Sequence, residues 1–213
     1  MGDKPAFLPF GLYALLDDSV RPGLDLAEAA RAVLEGGAGV IQLRLKRLPD
    51  RQALALCCRV VELARPLGAR VLVNDRVDLA LLSGADGVHL GDDDLPVAQA
   101  RKLLGPAALI GATTRNLAQI ERAAAEGADH VGLGPVFATS TKQIPHPLLG
   151  VEGLARIAAV SPLPIVAIAG LRLGNLQPVA RAGARCAAVA SGLLEASDLR
   201  ERARALQAEF CGI

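Results

Sequence analysis

The sequence predicts one α/β domain over residues 1–213, a single (β/α)8 barrel of the TIM type. The first observation is that eight short apolar runs alternate with eight amphipathic stretches of helical length. Short apolar runs bounded by Gly or Pro are typical of strands that are covered on both faces. The second observation is that a short motif recurs ahead of every second run. The same alternation could form an open doubly wound sheet, but eight even units in so short a chain favour a closed barrel.

The predicted elements follow one another from end to end without a linker. Apolar runs predict strands at Leu12–Leu16, Val40–Arg44, Arg70–Asn74, Gly87–Leu90, Leu109–Thr113, His130–Gly134, Pro164–Gly170 and Cys186–Gly192. Stretches rich in Ala, Leu, Arg and Glu predict helices at Leu26–Glu35, Arg51–Arg65, Val77–Leu82, Pro96–Leu104, Leu117–Glu126, Glu152–Val160, Leu173–Arg181 and Leu199–Phe210. One long connection runs from Pro135 to Gly150, and loops of that length are often functional lids.

The recurring motif places a glycine between a helix and the strand that follows it. Its four copies are GGAGVIQL from Gly36, SGADGVHL from Ser83, EGADHVGL from Glu126 and AGARCAAV from Ala182. A glycine at this point is expected to end the helix in a left-handed conformation before the chain enters the strand. The copies precede the second, fourth, sixth and eighth predicted strands, which supports a repeated α/β unit.

Composition and charge exclude several kinds of partner. The hydrophobic fraction is 52% but the aromatic fraction only 2%, so the core is expected to consist of Ala, Val, Leu and Ile. The net charge is +1 and the basic residues are dispersed, so we expect no nucleic-acid partner. Without a signal peptide or an 18-residue apolar run, a cytoplasmic protein with no membrane partner is expected. A homodimer is compatible with the sequence. The cysteines match no zinc spacing and are expected to be reduced thiols, at Cys57, Cys58, Cys186 and Cys211.

Polar residues collect just after the predicted strands, at the end of a barrel where active sites lie. Three kinds are present. Cations that can hold phosphate oxygens follow the second and sixth strands, and two of the four lysines of the chain are among them. Carboxylates suited to a divalent cation follow the third and fourth strands, and small residues with open backbone amides end the last two. These residues are Arg44, Lys46 and Lys142; Asp75 and Asp94; and Gly170, Ser191 and Gly192, accompanied by Asn74, Thr113, Thr114, Thr139 and Thr141.

Each of these residues also has a purely structural interpretation. Asp75 could be the N-cap of the next helix, and the run Asp92–Asp94 could cap the helix that starts near Pro96. Arg44 and Lys46 could be solvated loop charges. His89 lies in a buried strand, where a hydrogen-bonded core histidine is the more usual role, and no partner residues are evident for His130 or His146. A binding site is favoured over these separate structural roles because six of the eight strands place groups that can bind phosphate or metal on the same predicted rim.

Several of these segments resemble the thiamine phosphate synthase family, from Tyr13 to about Leu194. The matching segments are QLRLK at Gln42–Lys46, VNDRVDLALLSGADGVHLGDDD at Val73–Asp94, HVGLGPVFATSTK at His130–Lys142, VAIAG at Val166–Gly170 and AVASG at Ala188–Gly192. The resemblance implies a Mg²⁺-dependent barrel enzyme. Such an enzyme joins a pyrimidine pyrophosphate to a thiazole phosphate, giving thiamine phosphate and pyrophosphate.

By position in these motifs, the resemblance also implies roles for individual residues. Gln42, Arg44, Lys46 and Asn74 would bind the pyrimidine pyrophosphate, and Asp75 and Asp94 would ligate Mg²⁺. Thr113 would stand near the leaving group and Lys142 would bind the departing pyrophosphate, which makes Arg44, Lys46, Thr113 and Lys142 the catalytic group. Since the thiazole nitrogen is already nucleophilic, no general base is required. The thiazole phosphate would be held by Thr139, Thr141, Gly170, Ser191 and Gly192.

The sequence also departs from the family pattern. Leu45 stands where Glu is usual, Asp92 where Gln is usual, Thr113 where Ser is usual and Ala138 where Pro is common, and the segment Gln143–Leu149 is atypical. The alternatives are a thiazole tautomerase on the same barrel, a catalytically silent phosphate-binding paralogue and an unrelated barrel isomerase. A tautomerase needs a placed acid/base such as His. This chain has Arg115 in that region and keeps Asp94, which favours the synthase.

Overall fold

Eight parallel strands, hydrogen-bonded in chain order from β1 to β8 and from β8 back to β1, form a closed barrel. The computed structural model describes residues 8–139 and 147–212 of the chain. The strands are β1 (Gly11–Asp17), β2 (Val40–Arg44), β3 (Arg70–Asn74), β4 (Gly87–Leu90), β5 (Leu109–Thr114), β6 (His130–Leu133), β7 (Ile165–Ile168) and β8 (Cys186–Val189). The predicted (β/α)8 barrel is confirmed.

Helices cover the outside of the barrel. They are α1 (Leu26–Glu35), α2 (Asp50–Ala64), α3 (Val77–Ser83), α4 (Val97–Leu104), α5 (Leu117–Ala125), α6 (Gly150–Ala158), α7 (Leu176–Arg181), α8 (Ser191–Leu194) and α9 (Leu199–Cys211), with a 3₁₀ turn at Arg65–Leu67. None of the helices in the described part of the chain is long and apolar enough to cross a membrane.

Most predicted boundaries lie within one residue of the observed ones, and several of the larger differences have local causes. The predicted seventh strand extends to Gly170, but β7 ends at Ile168 because Ala169 and Gly170 have positive φ angles of 79° and 69°. The predicted eighth strand extends to Gly192, but Ser191 begins the short helix α8, which the sequence did not predict. The helix predicted from Leu173 begins at Leu176, since the backbone amide of Arg172 is held in a turn by the Asn175 side chain.

The glycine of each repeated motif has the predicted left-handed conformation. The φ angle is 94° at Gly37, 67° at Gly84, 94° at Gly127 and 96° at Gly183. Each of these glycines follows a helix directly or one residue later, and a strand begins within three residues. The repeat therefore encodes the same helix-to-strand turn four times around the barrel.

Glycines in β5 and β6 make room for two histidine rings inside the barrel. His89 on β4 is paired in register with Gly111 on β5, and Gly111 is paired with His130 on β6. A Cβ atom on Gly111 would lie within 2.5 Å of a nitrogen of each ring, and a Cβ atom on Gly132 would lie 3.1 Å from His89 Cε1. Glycine is therefore required here for space rather than for backbone freedom, because neither residue has a positive φ angle.

Replacing Gly111 by alanine is expected to lower the free energy of unfolding by about 1–3 kcal/mol, as overpacking of a well-filled core does. Denaturant unfolding of the Gly111→Ala variant measures this change. Because the clash is with the imidazoles, the His130→Ala substitution should be less costly in the Gly111→Ala background than in the unchanged chain. An unchanged free energy of unfolding in Gly111→Ala would show that the two rings do not need this space.

Candidate active site

Arg44 ends β2 on the rim formed by the carboxyl ends of the strands, and a buried carboxylate holds it there. Arg44 Nη1 donates to Asp17 Oδ2 over 2.7 Å, and the two residues are paired in register between β1 and β2. Only 3% of the Asp17 side chain is exposed. A buried carboxylate of this kind needs its counter-ion. Arg44 is therefore a fixed cation on the rim, and its interpretation as a solvated loop charge is wrong.

The loop that carries Lys46 is held by a second carboxylate, that of Asp18. Its Oδ1 accepts a hydrogen bond from the backbone amide of Lys46 over 3.0 Å. Its Oδ2 accepts from the amides of Arg47 and Leu48 over 2.7 and 3.1 Å. Three hydrogen bonds to one carboxylate fix the loop backbone. The Lys46 side chain therefore extends from a backbone whose position is fixed.

Lys46, Asp75 and Asp94 form one charged cluster on the rim. The Lys46 ammonium group makes an ion pair with Asp75 Oδ2, and the Asp75 and Asp94 carboxyl groups are within hydrogen-bonding reach of each other. Asp75 has a φ angle of 63°, and its backbone amide donates to His89 O over 2.8 Å. Positive φ is uncommon outside glycine. The β3 end thus aims this carboxylate into the site.

The pKa values of the two carboxyl groups diverge. Burial, and then the hydrogen bond with Asp94, raise the pKa of Asp75 above its usual value, although Lys46 opposes this. Burial alone would also raise the pKa of Asp94, but its contact with Asp75, the Gly91 amide and Lys46 lower it overall. One lysine neutralises only part of the negative charge of two adjacent carboxylates, so a further cation would stabilise the pair. Within residues 8–139 and 147–212, no group of three or more His, Cys, Asp or Glu residues is placed to hold a metal.

The capping interpretations of these aspartates are wrong. Helix α3 has Arg76 at its N-cap position, and α4 has Pro96, and neither helix end receives a side-chain cap. Asp94 Oδ2 instead accepts from the Gly91 amide over 2.7 Å, within its own loop. Asp92 makes an ion pair with Arg115 from the loop after β5. The acidic run thus organises the rim rather than a helix.

Small residues after β7 and β8 form the opposite side of the rim. Gly170 has a φ angle of 69°, and a Cβ atom there would lie 2.7 Å from Phe137 Cβ. Ser191 and Gly192 begin α8, so their backbone amides lie in the first turn of that helix. A short extra helix after the last strand is a frequent phosphate site in these barrels. Thr139 lies half-buried in the loop after β6.

Below the rim, the barrel interior contains a polar layer. Gln42 Nε2 donates to the Tyr13 hydroxyl over 2.6 Å, and His89 Nε2 lies 3.1 Å from Thr113 Oγ1. His89 is a buried core histidine, as expected, but only Nε2 is hydrogen-bonded, and its Nδ1 has no partner among the described residues. The same holds for both ring nitrogens of His130, which is completely buried.

Both histidines are neutral at physiological pH. Burial lowers the pKa of His89 from 6.5 to about 4, although Asp94 opposes this. Burial and then His89 lower the pKa of His130 well below 6.5. Neither ring is therefore a cation for phosphate at neutral pH.

These pKa values predict that stability falls in mild acid. The unfolded chain binds protons below pH 6.5 that the folded imidazoles do not accept, so the free energy of unfolding should decrease as the pH falls from about 6.5 to about 4. For His89 alone the loss is about 3 kcal/mol. Urea unfolding at several pH values measures the slope. A variant with both His89→Gln and His130→Phe should show a flatter slope, and equal slopes in the two proteins would contradict the assignment.

The structure brings most of the predicted site residues onto one rim or into the layer below it. The described members are Gln42, Arg44, Lys46, Asn74, Asp75, Asp94, Thr113, Thr139, Gly170, Ser191 and Gly192. Thr141, Lys142 and His146 lie outside the described residues.

Sequence reasoning missed Asp17, Asp18, Tyr13 and the His89–His130 pair. For the aspartates a signal was present, since the run LLDDS places two acidic residues at the carboxyl end of the first predicted strand. For the aromatic and imidazole residues the signal was weaker. Their alternation with apolar residues in Leu12–Leu16 and His130–Gly134 indicates an inward direction only once the barrel register is known.

A closed barrel of eight parallel strands, with Arg44 and the Lys46–Asp75–Asp94 cluster on its carboxyl rim, defines a TIM-barrel protein. Comparison with known proteins identifies it further. The chain belongs to the family described as "Thiamine monophosphate synthase", which matches residues 12–193.

Individual relatives agree with this membership. The chain is 55% identical to the thiamine-phosphate synthase of Myxococcus xanthus, over 95% of this chain and 93% of that protein. It is 51% identical to the enzyme of the same name from Anaeromyxobacter dehalogenans, over 94% and 87%. Among solved structures it is similar to the thiamine phosphate pyrophosphorylase from Pyrococcus furiosus. The TM-score is 0.86, with 34% identity over 95% of this chain and 96% of that one.

Proposed function

We propose that this chain is a thiamine-phosphate synthase. It couples a pyrimidine that carries a pyrophosphate to a thiazole phosphate, giving thiamine phosphate and pyrophosphate. The observation that carries the proposal is the cluster of Lys46, Asp75 and Asp94 on the rim, in a chain so similar over its length to proteins of that name. The substrates are charged esters that do not cross a bilayer unaided, which favours a cytoplasmic enzyme.

The charges of the rim support a requirement for a divalent cation. The three ion pairs described above place Arg44, Lys46 and Arg115 each against a carboxylate, and Asp94 adds a further negative charge. A pyrophosphate ester would bring still more negative charge to this rim. Facing carboxylates at the ends of neighbouring strands are the ligands that Mg²⁺ prefers. We therefore assign Asp75 and Asp94 as Mg²⁺ ligands, and the bound ion would neutralise charge on the leaving pyrophosphate.

The protein side chains bind and activate the pyrimidine pyrophosphate. In the proposed reaction, the bond between the pyrimidine methylene carbon and the pyrophosphate oxygen breaks, and its electron pair leaves with pyrophosphate. Arg44, Lys46 and Asn74 hold that group, and Lys142 binds it as charge develops. Fixed cations favour this step because they need no rearrangement as the charge grows. Thr113 supplies a hydroxyl beside the leaving group, and Gln42 faces the pyrimidine from the layer below.

The thiazole phosphate occupies the opposite side of the rim. Its phosphate accepts hydrogen bonds from the amides at Gly170, Ser191 and Gly192 and from the hydroxyls of Thr139 and Thr141. The lone pair of the thiazole nitrogen then forms the bond to the pyrimidine methylene carbon. No proton has to be removed in this step, which agrees with neutral, buried imidazoles at His89 and His130.

Three departures from the family pattern are compatible with activity. The Leu45 side chain packs against the hydrophobic core. The added charge of Asp92 is paired with Arg115. Thr113 keeps its hydroxyl near the rim, within reach of His89. The pyrophosphate side therefore keeps the groups that the reaction needs.

The proposed function is tested by offering the purified protein two alternative reactions in the presence of Mg²⁺. In one, the pyrimidine pyrophosphate and the thiazole phosphate are supplied, and thiamine phosphate is measured. In the other, a thiazole carboxylate phosphate is supplied, and its isomerisation is measured. We expect coupling and no isomerisation. Isomerisation without coupling would replace the proposal by a tautomerase, and thiazole phosphate binding with neither reaction would indicate a silent paralogue.

A further inference from the structure

Two consecutive aspartates at the end of β1 contact the segment that carries the two rim cations after β2. Asp17 is the last residue of β1 and is paired in register with Arg44. The backbone ladder continues one bond further, because the Asp18 amide donates to Arg44 O over 3.2 Å. The chain therefore leaves β1 directly beside the connection between β2 and α2, which carries Lys46. Neither aspartate is among the residues assigned above to substrate or metal.

The Asp17 carboxylate has defined partners at both of its oxygens. Its Oδ2 accepts from Arg44 Nη1 over 2.7 Å, and its Oδ1 accepts from the Ser19 amide and hydroxyl over 2.8 and 2.6 Å. Only 3% of the Asp17 side chain is exposed, against 29% of the Arg44 side chain. The carboxylate is thus the enclosed member of the pair, and the guanidinium is the member that a ligand on the rim can reach.

Asp18 acts on the backbone of the next loop rather than on a side chain. Its two oxygens together accept from three successive amides, those of Lys46, Arg47 and Leu48, over 3.0, 2.7 and 3.1 Å. The Lys46 side chain is 48% exposed and ends in the ion pair with Asp75. Its reach to that carboxylate therefore depends on where the loop backbone holds its Cα atom.

We propose that Asp17 and Asp18 are positioning residues for the pyrophosphate half of the reaction, so that one strand end sets the spacing of the Arg44 guanidinium and the Lys46 ammonium group. Cations that are already in place stabilise a leaving pyrophosphate without rearranging as its charge grows. A mobile side chain would have to be ordered first, at a cost in conformational entropy. This inference rests on the proposed function for the effect on turnover, but not for the placement of the loop and the guanidinium.

Amide hydrogen exchange, followed residue by residue by NMR, tests the role of Asp18 without any substrate. In Asp18→Ala the amides of residues 46–48 lose their acceptor, and we expect them to exchange about tenfold faster or more. The matched control is Asp25→Ala, because Asp25 also accepts two backbone amides, those of Ala27 and Glu28, but at the N-cap of α1. That variant should leave residues 46–48 unaltered. Unchanged exchange of these three amides in Asp18→Ala would overturn the proposal.

Kinetics separate the two positioning roles from a general loss of structure. Asp17→Asn and Asp18→Ala should each lower kcat about tenfold with little change in KM for the thiazole phosphate, whereas Asp25→Ala should not change kcat. In a Lys46→Ala background, Asp18→Ala should have no further effect, since the cation on which it acts is gone. Asp17→Asn should keep its effect in that background, because it acts through Arg44. An equal drop in kcat from Asp18→Ala in both backgrounds would overturn the proposal.

A milder variant tests the role of Asp17 if Asp17→Asn does not fold, and thermal unfolding of each variant is the control. Ser19→Ala removes the hydroxyl that holds Asp17 Oδ1 but keeps the ion pair with Arg44. We expect kcat to fall about twofold to threefold, and an unchanged kcat would overturn the role of Asp17. Should the unchanged protein fail to couple the two substrates, the proposed function fails, and amide exchange in Asp18→Ala still decides whether Asp18 holds the Lys46 loop.

Discussion

The Asp75→Asn variant is expected to lose Mg²⁺-dependent coupling by on the order of 100-fold or more while remaining folded. Asparagine keeps the size and hydrogen-bonding reach of the side chain but removes the negative charge, so it weakens divalent cation binding more than it disturbs the loop. The partner Lys46 is about half exposed, so losing the ion pair has little effect on stability. Steady-state turnover at varied Mg²⁺ concentration measures the effect.

The matched control for this prediction is Asp93→Asn. Asp93 belongs to the same acidic run as Asp94 but is exposed. Its substitution should leave turnover and its Mg²⁺ dependence nearly unchanged. Turnover in Asp75→Asn that equals that of the control would remove Asp75 from the metal site and leave its positive φ angle without a functional explanation.

The Lys142→Ala variant is expected to lower kcat about 100-fold or more with little change in thermal stability. The rim pairs Arg44 and Lys46 with carboxylates, so an additional cation is needed as pyrophosphate departs. We propose Lys142 as that cation because of its position in the family motif after the sixth strand. Single-turnover and steady-state measurements together separate an effect on the chemical step from one on product release.

Lys102→Ala is the control for Lys142. Lys102 is another of the four lysines and lies exposed in α4, away from the carboxyl ends of the strands. Its removal lowers the net charge equally but should not affect kcat. A Lys142→Ala variant that turns over normally would leave the departing pyrophosphate to Arg44, Lys46 and the metal. A variant that fails to fold would mark Lys142 as a structural residue.

Local patterns in the sequence were sufficient to predict the barrel. Strands that are buried on both faces have nearly continuous apolar sequences, so they could be located in the chain. The predicted boundaries of β2, β3 and β4 agree with those observed. The carboxyl end of each strand is where site residues lie in such folds, so position made Arg44, Lys46, Asp75 and Asp94 candidates, and only their convergence on one rim favoured a site over a structural role. Their motif context then narrowed the chemistry.

The parts that could not be predicted depend on contacts between distant strands. That Asp17 fixes Arg44 follows from the register of β1 with β2, which no local pattern specifies. Helix α8 has only four residues, too few for a helical period to be evident. The imidazoles of His89 and His130 meet only because the register of β4, β5 and β6 places both beside Gly111. Such interior layers are a property of the closed barrel and not of any one segment.

The most direct test of the proposed function is the stoichiometry of product formation by the purified protein. The pyrimidine pyrophosphate and the thiazole phosphate are supplied with Mg²⁺, and thiamine phosphate and pyrophosphate are quantified together, with omission of each substrate and with a chelator as controls. We expect one pyrophosphate for each thiamine phosphate, and no product when either substrate or the metal is missing. Pyrophosphate release without thiamine phosphate, or no release at all with both substrates and Mg²⁺ present, would contradict the assignment of this barrel as a synthase.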